Sequence, residues 1–142
     1  MLERKPKVVI DTNVLLDLLL VREGFKGASK VFELARKKRI NIYIAEHSYT
    51  TAWYIAVQKL KITESKVMSS LKKIKTLGGV LSVTGKVMEN ALNDPTPDFE
   101  DAVILYAAKD CEADIVLSYD KKLLKSKLVP CATPEEFLQQ IM

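Results

Sequence analysis

The chain has 142 residues, 48% of them apolar and 28% charged, with a net charge of +4. That is the make-up of an ordinary globular protein with room for one domain, 1–142, and one core. The longest apolar run, Val14 to Val21, is interrupted by Asp17 and falls well short of the roughly 20 residues that span a bilayer. Met1-Leu2-Glu3-Arg4-Lys5 offers no apolar stretch ahead of a small-residue cleavage site, so no signal peptide is expected. Two cysteines, Cys111 and Cys131, with a lone histidine, His47, argue against a Cys/His zinc site and for reduced thiols in a cytoplasmic protein.

Lys7-Val8-Val9-Ile10 reads as a short buried strand that stops at Asp11-Thr12-Asn13, residues that favour turns and helix caps. Val14 to Leu20 reads as a helix, Gly24 and Gly27 bracket a loop, and Ala28 to Lys38 carries a helical stripe of Val31, Phe32 and Ala35. Ile40 to Ala45 alternates as a strand, and His47 to Leu60 returns to helical character. Thr63-Glu64 opens a further helix with Val67, Leu71 and Ile74 on one face, and Gly78-Gly79 is expected to end it. Val80 to Val83 reads as the third strand and Lys86 to Leu92 as a short helix.

Pro95-Thr96-Pro97 reads as a stiff loop before Asp98. From Phe99 a stripe of Phe99, Ala102, Val103, Tyr106 and Ala107 predicts a helix. Ile115-Val116-Leu117 is the fourth strand, Val129 and Cys131 a fifth, and Thr133-Pro134-Glu135-Glu136 reads as cap, proline and acidic first turn of a last helix. Short Val/Ile-rich strands alternating with amphipathic helices predict a three-layer α/β/α sandwich around a parallel sheet.

Ligands of open α/β sheets bind outside the carboxyl ends of the strands, and the acids of interest fall there. Asp11 follows the first strand and Asp120 the fourth, while Asp98 and Asp101 lie three apart at the start of a helix and share a face. Each has a structural role open to it: Asp11 as a cap, Asp98 and Asp101 as first-turn acids, Asp120 as the start of a turn. Together they repel one another, and a hard divalent cation, Mg²⁺ or Mn²⁺, relieves that conflict. Phosphodiester hydrolysis is the natural chemistry of such a site. Asn13 and Ser118 are placed to orient the carboxylates, with turn residue and strand end as their alternative roles. Basic clusters at Arg36 to Arg39, at Lys72, Lys73 and Lys75, and at Lys121, Lys122, Lys125 and Lys127 suggest a polyanion, or else solvated helix faces.

Val9-Ile10-Asp11-Thr12-Asn13-Val14-Leu15-Leu16 resembles the opening motif of PIN domains. Asp98-Phe99-Glu100-Asp101-Ala102-Val103, followed by Tyr106-Ala107-Ala108, is similar to the family's acidic helix, and Ala113 to Asp120 to its last strand and acidic turn. The resemblance runs over nearly the whole chain. It implies an Mg²⁺- or Mn²⁺-dependent ribonuclease acting on single-stranded or structured RNA, of the VapC toxin type, usually self-associating and partnered by an antitoxin. By motif, Asp11, Asp101 and Asp120 take the family's metal positions and Asp98 an auxiliary one. The family often adds a glutamate early in the helix after the second strand. That position falls near Thr51, with Glu46 the nearest acid about a turn earlier, and the chain resembles branches that keep Thr or Asn there.

Two other α/β phosphotransfer classes fit the residues less well. A haloacid-dehalogenase-like phosphatase needs a second aspartate where Asn13 stands, and a receiver domain needs one after the third strand, where Val80 to Thr84 has none. The stronger rival is a PIN-like module that binds RNA or protein without cleaving, which Thr51 favours and the four aspartates oppose. Tyr43, Tyr49, Trp53 and Tyr54 could stack on bases, but their helical spacing fits core or a dimer surface better.

Overall fold

The structure, a computed structural model, describes residues 4–95 and 98–141; Thr96 and Pro97 of the expected stiff loop lie outside them. Strand β1 (Lys7–Ile10) sits at the centre of the molecule because every side chain from Val8 to Ile10 is apolar and fully buried. Parallel neighbours flank it: β2 (Asn41–Ala45) on one side and β4 (Ile115–Leu117) on the other. The edges are β3 (Gly78–Leu81) beside β2 and β5 (Cys131–Ala132) beside β4, giving the order β3-β2-β1-β4-β5 with all pairs parallel.

Successive strand residues face opposite sides of the sheet, and both sides are dry. Val8, Ile10, Ile42, Ile44 and Leu117 pack against α1 (Thr12–Leu20), α2 (Phe25–Arg36) and α8 (Pro134–Ile141). Val9, Ala45, Leu81 and Val116 pack against α5 (Gly85–Leu92), α6 (Phe99–Asp110) and α7 (Lys121–Leu124). A parallel sheet covered on both faces needs this near-continuous apolar run in each strand, so the expected α/β/α sandwich is the observed fold.

Helix α3 (Glu46–Trp53) passes directly into a π-helical segment, Tyr54–Lys59, and α4 (Glu64–Thr76) follows. The wider segment is closed by the amide of Leu60 donating to the carbonyl of Ile55 at 2.9 Å. This is where the single predicted helix from His47 to Leu60 changes its winding.

Four expectations are corrected. Gly27 does not close a loop but lies buried inside α2, against α8: a Cβ there would sit 2.1 Å from the Glu135 carboxylate. Gly78 and Gly79 do not end α4; they open β3, because the strand runs so close to β2 that side chains do not fit. Phe99 leaves the apolar stripe of α6 and is 47% exposed. The turn expected at Asp120 is instead the start of a short helix, α7.

Gly78 has the tightest constraint, since a Cβ would lie 2.3 Å from the carbonyl oxygen of Ile42. Gly78→Ala is therefore expected to destabilise the fold by about 1–3 kcal/mol through this backbone clash, measured as a lower urea midpoint with an unchanged slope.

Candidate metal centre

Strand order reverses between β1 and β4, and both strands end in an acid-bearing turn. The Asp11 amide donates to the carbonyl of Leu117 at 3.0 Å, continuing the sheet by one rung. Its side chain then caps α1, with Oδ1 accepting from the Thr12 amide at 2.8 Å. Oδ2 accepts from the Ser118 hydroxyl at 2.8 Å, and that hydroxyl in turn accepts from the Asp120 amide at 2.9 Å. Asp120 caps α7, accepting from the Lys122 amide at 2.8 Å.

Asp98 caps α6, its Oδ1 accepting from the Asp101 amide at 3.1 Å. The Asp101 side chain lies inward, where the residue is 6% exposed and its Oδ2 is buried with no hydrogen-bond partner among the described residues. A buried, unpartnered carboxylate oxygen is rare and calls for a ligand or a proton. Carboxylate oxygens of Asp98, Asp101 and Asp120 all lie within 4.8 Å of one another. Asp11 stands beside this group, in a cleft of about 220 Å³ that all four aspartates line.

The remaining wall comes from α1, α3 and the π-helical segment. Thr12 Oγ1 meets Ser48 Oγ at 2.7 Å in the interior, which fixes α3 against α1 and brings Thr51 and Ile55 to the cleft. Asn13 and Leu16 complete that side. Glu46 is used elsewhere, accepting from the Val83 amide at 2.8 Å. The position expected to differ from the usual glutamate, Thr51, thus lines the cleft, and Glu46 does not take its place. Glu100 also lines it, and the sequence carries no signal for this, because an acid in a first helical turn is too common to stand out.

The aspartates' electrostatics follow from burial and crowding. Desolvation raises the Asp11 carboxyl from 3.8 to about 6, against the lowering effect of its hydrogen bonds, and the charges of Glu100 and Asp120 add to the rise. Asp101 is pushed up by burial first and then by the charges of Asp120, Asp98 and Asp11. Three or four oxygens of this kind, with no nitrogen or sulfur donor among them, fit a hard divalent ion.

Of the basic clusters, only Lys121 and Lys122 adjoin this edge, in the helix that Asp120 caps. Arg36 to Arg39 precede β2, and Lys72, Lys73 and Lys75 precede β3, so both groups sit at the opposite, amino end of the sheet.

Residues 7–122 match the PIN domain family. No curated protein matches the chain in sequence. Solved structures with a similar fold include VapBC2 from Rickettsia felis bound to a DNA fragment from its promoter, at 14% identity and TM-score 0.68, covering 89% of this chain and 98% of that one. A toxin–antitoxin complex from Klebsiella pneumoniae matches at 17% identity and TM-score 0.66, covering 89% and 97%. VapC20 from Mycobacterium tuberculosis, a sarcin–ricin-loop-cleaving toxin, matches at 15% identity and TM-score 0.63, covering 82% and 92%.

Because Asp11 and Asp101 both bind protons more tightly in the metal-free folded chain, their contribution to stability is fullest below about pH 4 and is lost as pH rises through about 6. Asp101→Asn removes the repulsion and leaves an amide that can donate to Asp120. In EDTA at pH 7 it is expected to raise the melting temperature by roughly 3–6 °C, about 1–2 kcal/mol for a chain of this size. The gain is expected to vanish near pH 4; melting curves across this range measure both.

Proposed function

From a chain that belongs to the PIN domain family, we propose a metal-dependent endoribonuclease that hydrolyses phosphodiesters of single-stranded RNA as the toxin of a type II toxin–antitoxin pair. The observation that carries this reading is the buried, unpartnered Asp101 Oδ2 beside Asp98 and Asp120. A structural cap needs no such oxygen, whereas a divalent cation does. The sarcin–ricin-loop-cleaving activity of the mycobacterial neighbour supports RNA as the substrate class.

In this reading Asp98, Asp101 and Asp120 hold Mg²⁺ or Mn²⁺, with Asp11 at the side of the site. When bound, the ion acidifies a water molecule and offsets negative charge building on the phosphate. The chain's own groups do the positioning. Ser118 holds Asp11 in one orientation and, through its bond from the Asp120 amide, fixes Asp11 and Asp120 relative to each other. Asn13 lies at the cleft mouth with an exposed amide able to meet a phosphate or ribose oxygen. Leu16 and Ile55 give the cleft an apolar side that limits water access. His47, the sole histidine, does not line the cleft, so no imidazole is at hand to deprotonate a ribose 2′-hydroxyl. Water is therefore the proposed nucleophile, leaving 5′-phosphate and 3′-hydroxyl ends.

The proposed partners are RNA, an antitoxin and a second copy of the chain. The neighbours from Rickettsia and Klebsiella are toxin–antitoxin assemblies, which supports the antitoxin. An apolar groove of about 630 Å³ lined by Tyr49, Trp53, Met68, Leu71 and Val80 supports self-association. Trp53 is half-buried there, its ring N–H donating to Glu64 at 3.1 Å, and exposed Tyr54 lies beside it. Tyr49 and Trp53 line this groove and not the aspartate cleft. Among the described residues no helix is long and apolar enough to cross a membrane. Two free thiols support the proposed cytoplasmic location.

Micromolar wild-type protein is expected to sediment as a dimer and Met68→Glu as a monomer; a monomeric wild type would count against the self-association. End-labelled RNA tests the chemistry. Cleavage with Mn²⁺ should yield 5′-phosphate ends, stop in EDTA, and fall by about 100-fold or more in Asp101→Asn. Cleavage that persists in EDTA, or cyclic phosphate ends, would refute the mechanism. Binding without any cleavage in excess Mn²⁺ would favour the non-cleaving module, the reading to which Thr51 lends weight.

A further inference from the structure

We propose that Glu100 is a cation-holding residue of the cleft, reaching a divalent ion from the side of Asp11. The inference rests on the metal-site reading above and adds to it a carboxylate that the sequence motifs did not single out.

Glu100 lies in the first turn of α6 between the capping Asp98 and the buried Asp101, and its side chain lines the same cleft. No hydrogen bond or ion pair engages it among the described residues. As a first-turn acid it would gain from the helix dipole while pointing to open solvent. Exposed at the rim, it also faces the cleft, where its charge and that of Asp11 repel each other. That arrangement is unfavourable for two anions and becomes favourable with a cation between them.

Asp11 needs such a companion. The group of oxygens within 4.8 Å comprises Asp98, Asp101 and Asp120, and Asp11 is outside it. Each Asp11 oxygen accepts one hydrogen bond, from the Thr12 amide or the Ser118 hydroxyl, and so keeps acceptor capacity free. The neighbour from α3 is Thr51, which has no charge to offer. Glu100 is thus the carboxylate placed to work with Asp11. The buried Oδ2 of Asp101, without a partner, is independent support that the cleft takes a cation.

The test uses the full chain and Mn²⁺ alone, with free Mn²⁺ followed by electron paramagnetic resonance. Glu100→Gln is expected to weaken Mn²⁺ binding by about 10–100-fold, with a melting curve in EDTA no lower than that of the wild type. Glu112→Gln, which removes the same charge beyond the far end of α6, is expected to bind as the wild type does. Adding Thr51→Glu to Glu100→Gln returns a carboxylate to the cleft from α3 and should recover most of the lost affinity. Equal binding by Glu100→Gln and the wild type, or an equal loss in Glu112→Gln, would overturn this inference alone. A wild-type chain that binds no Mn²⁺ would overturn the metal-site reading with it.

Discussion

The Ser118 hydroxyl is the hinge on which the acidic edge depends. It donates to Asp11 Oδ2 and accepts from the Asp120 amide, so one buried oxygen ties the end of β1 to the end of β4. The two strands are adjacent and in register, with Ile10 opposite Leu117. Their turns therefore begin at the same height and diverge into α1 and α7. Without a group that can donate and accept at once, Asp11 would be a buried anion holding only its cap bond. Serine supplies both functions in the smallest side chain available, and it is fully buried.

Three of the four aspartates are helix caps, and this explains how repelling carboxylates come to be neighbours. In a parallel sheet each strand hands over to a helix at the same edge, so Asp11 and Asp120, which cap the helices after β1 and β4, converge there, and α6, which follows α5 and leads into β4, starts at that edge too. Asp11, Asp98 and Asp120 each accept from amides of the first turn of the helix they begin. The amides and the positive ends of the helix dipoles offset part of the repulsion. Capping is then the means by which the cluster forms, and a structural role and a role toward a cation are not alternatives. Asp101 is the exception. It caps nothing, is buried, and has an oxygen without a partner, so it is the member whose presence the fold alone does not explain.

This division also decides what could be read from the sequence. Strand β1 and the triplet in β4 were legible to the residue because a parallel strand buried on both faces must be a short unbroken apolar run. The edge position of the acids was legible because it follows from where strands end. Burial was not: nothing local says that Asp101 is enclosed while Glu100, one residue earlier, faces the cleft from its rim. That depends on the rotation of α6, which is set by packing of Ile104, Leu105 and Ala108 on the sheet. The glycines were misread for a related reason. Gly27 and Gly78 look like punctuation, but they mark close approaches of α2 to α8 and of β3 to β2. A glycine required by a tertiary contact has the same letter as one required by a turn.

The distribution of cations adds a last constraint. Clusters of lysine and arginine suggested a basic rim around the acids, but two of the three lie at the other end of the sheet. Among the described residues five carboxylates and no cationic side chain line the cleft; Lys121 and Lys122 stand in the helix that Asp120 caps, and Arg22 reaches the rim through the Asn13 carbonyl at 3.2 Å. A polyanion brought to this edge meets a net negative surface, and at close range that repulsion is not screened away. On the proposed reading, the attraction must then come from the ion and not from the protein's own side chains. Binding of RNA and binding of metal become coupled by charge alone, because each divalent ion offsets two of the negative charges that the next phosphate would otherwise meet.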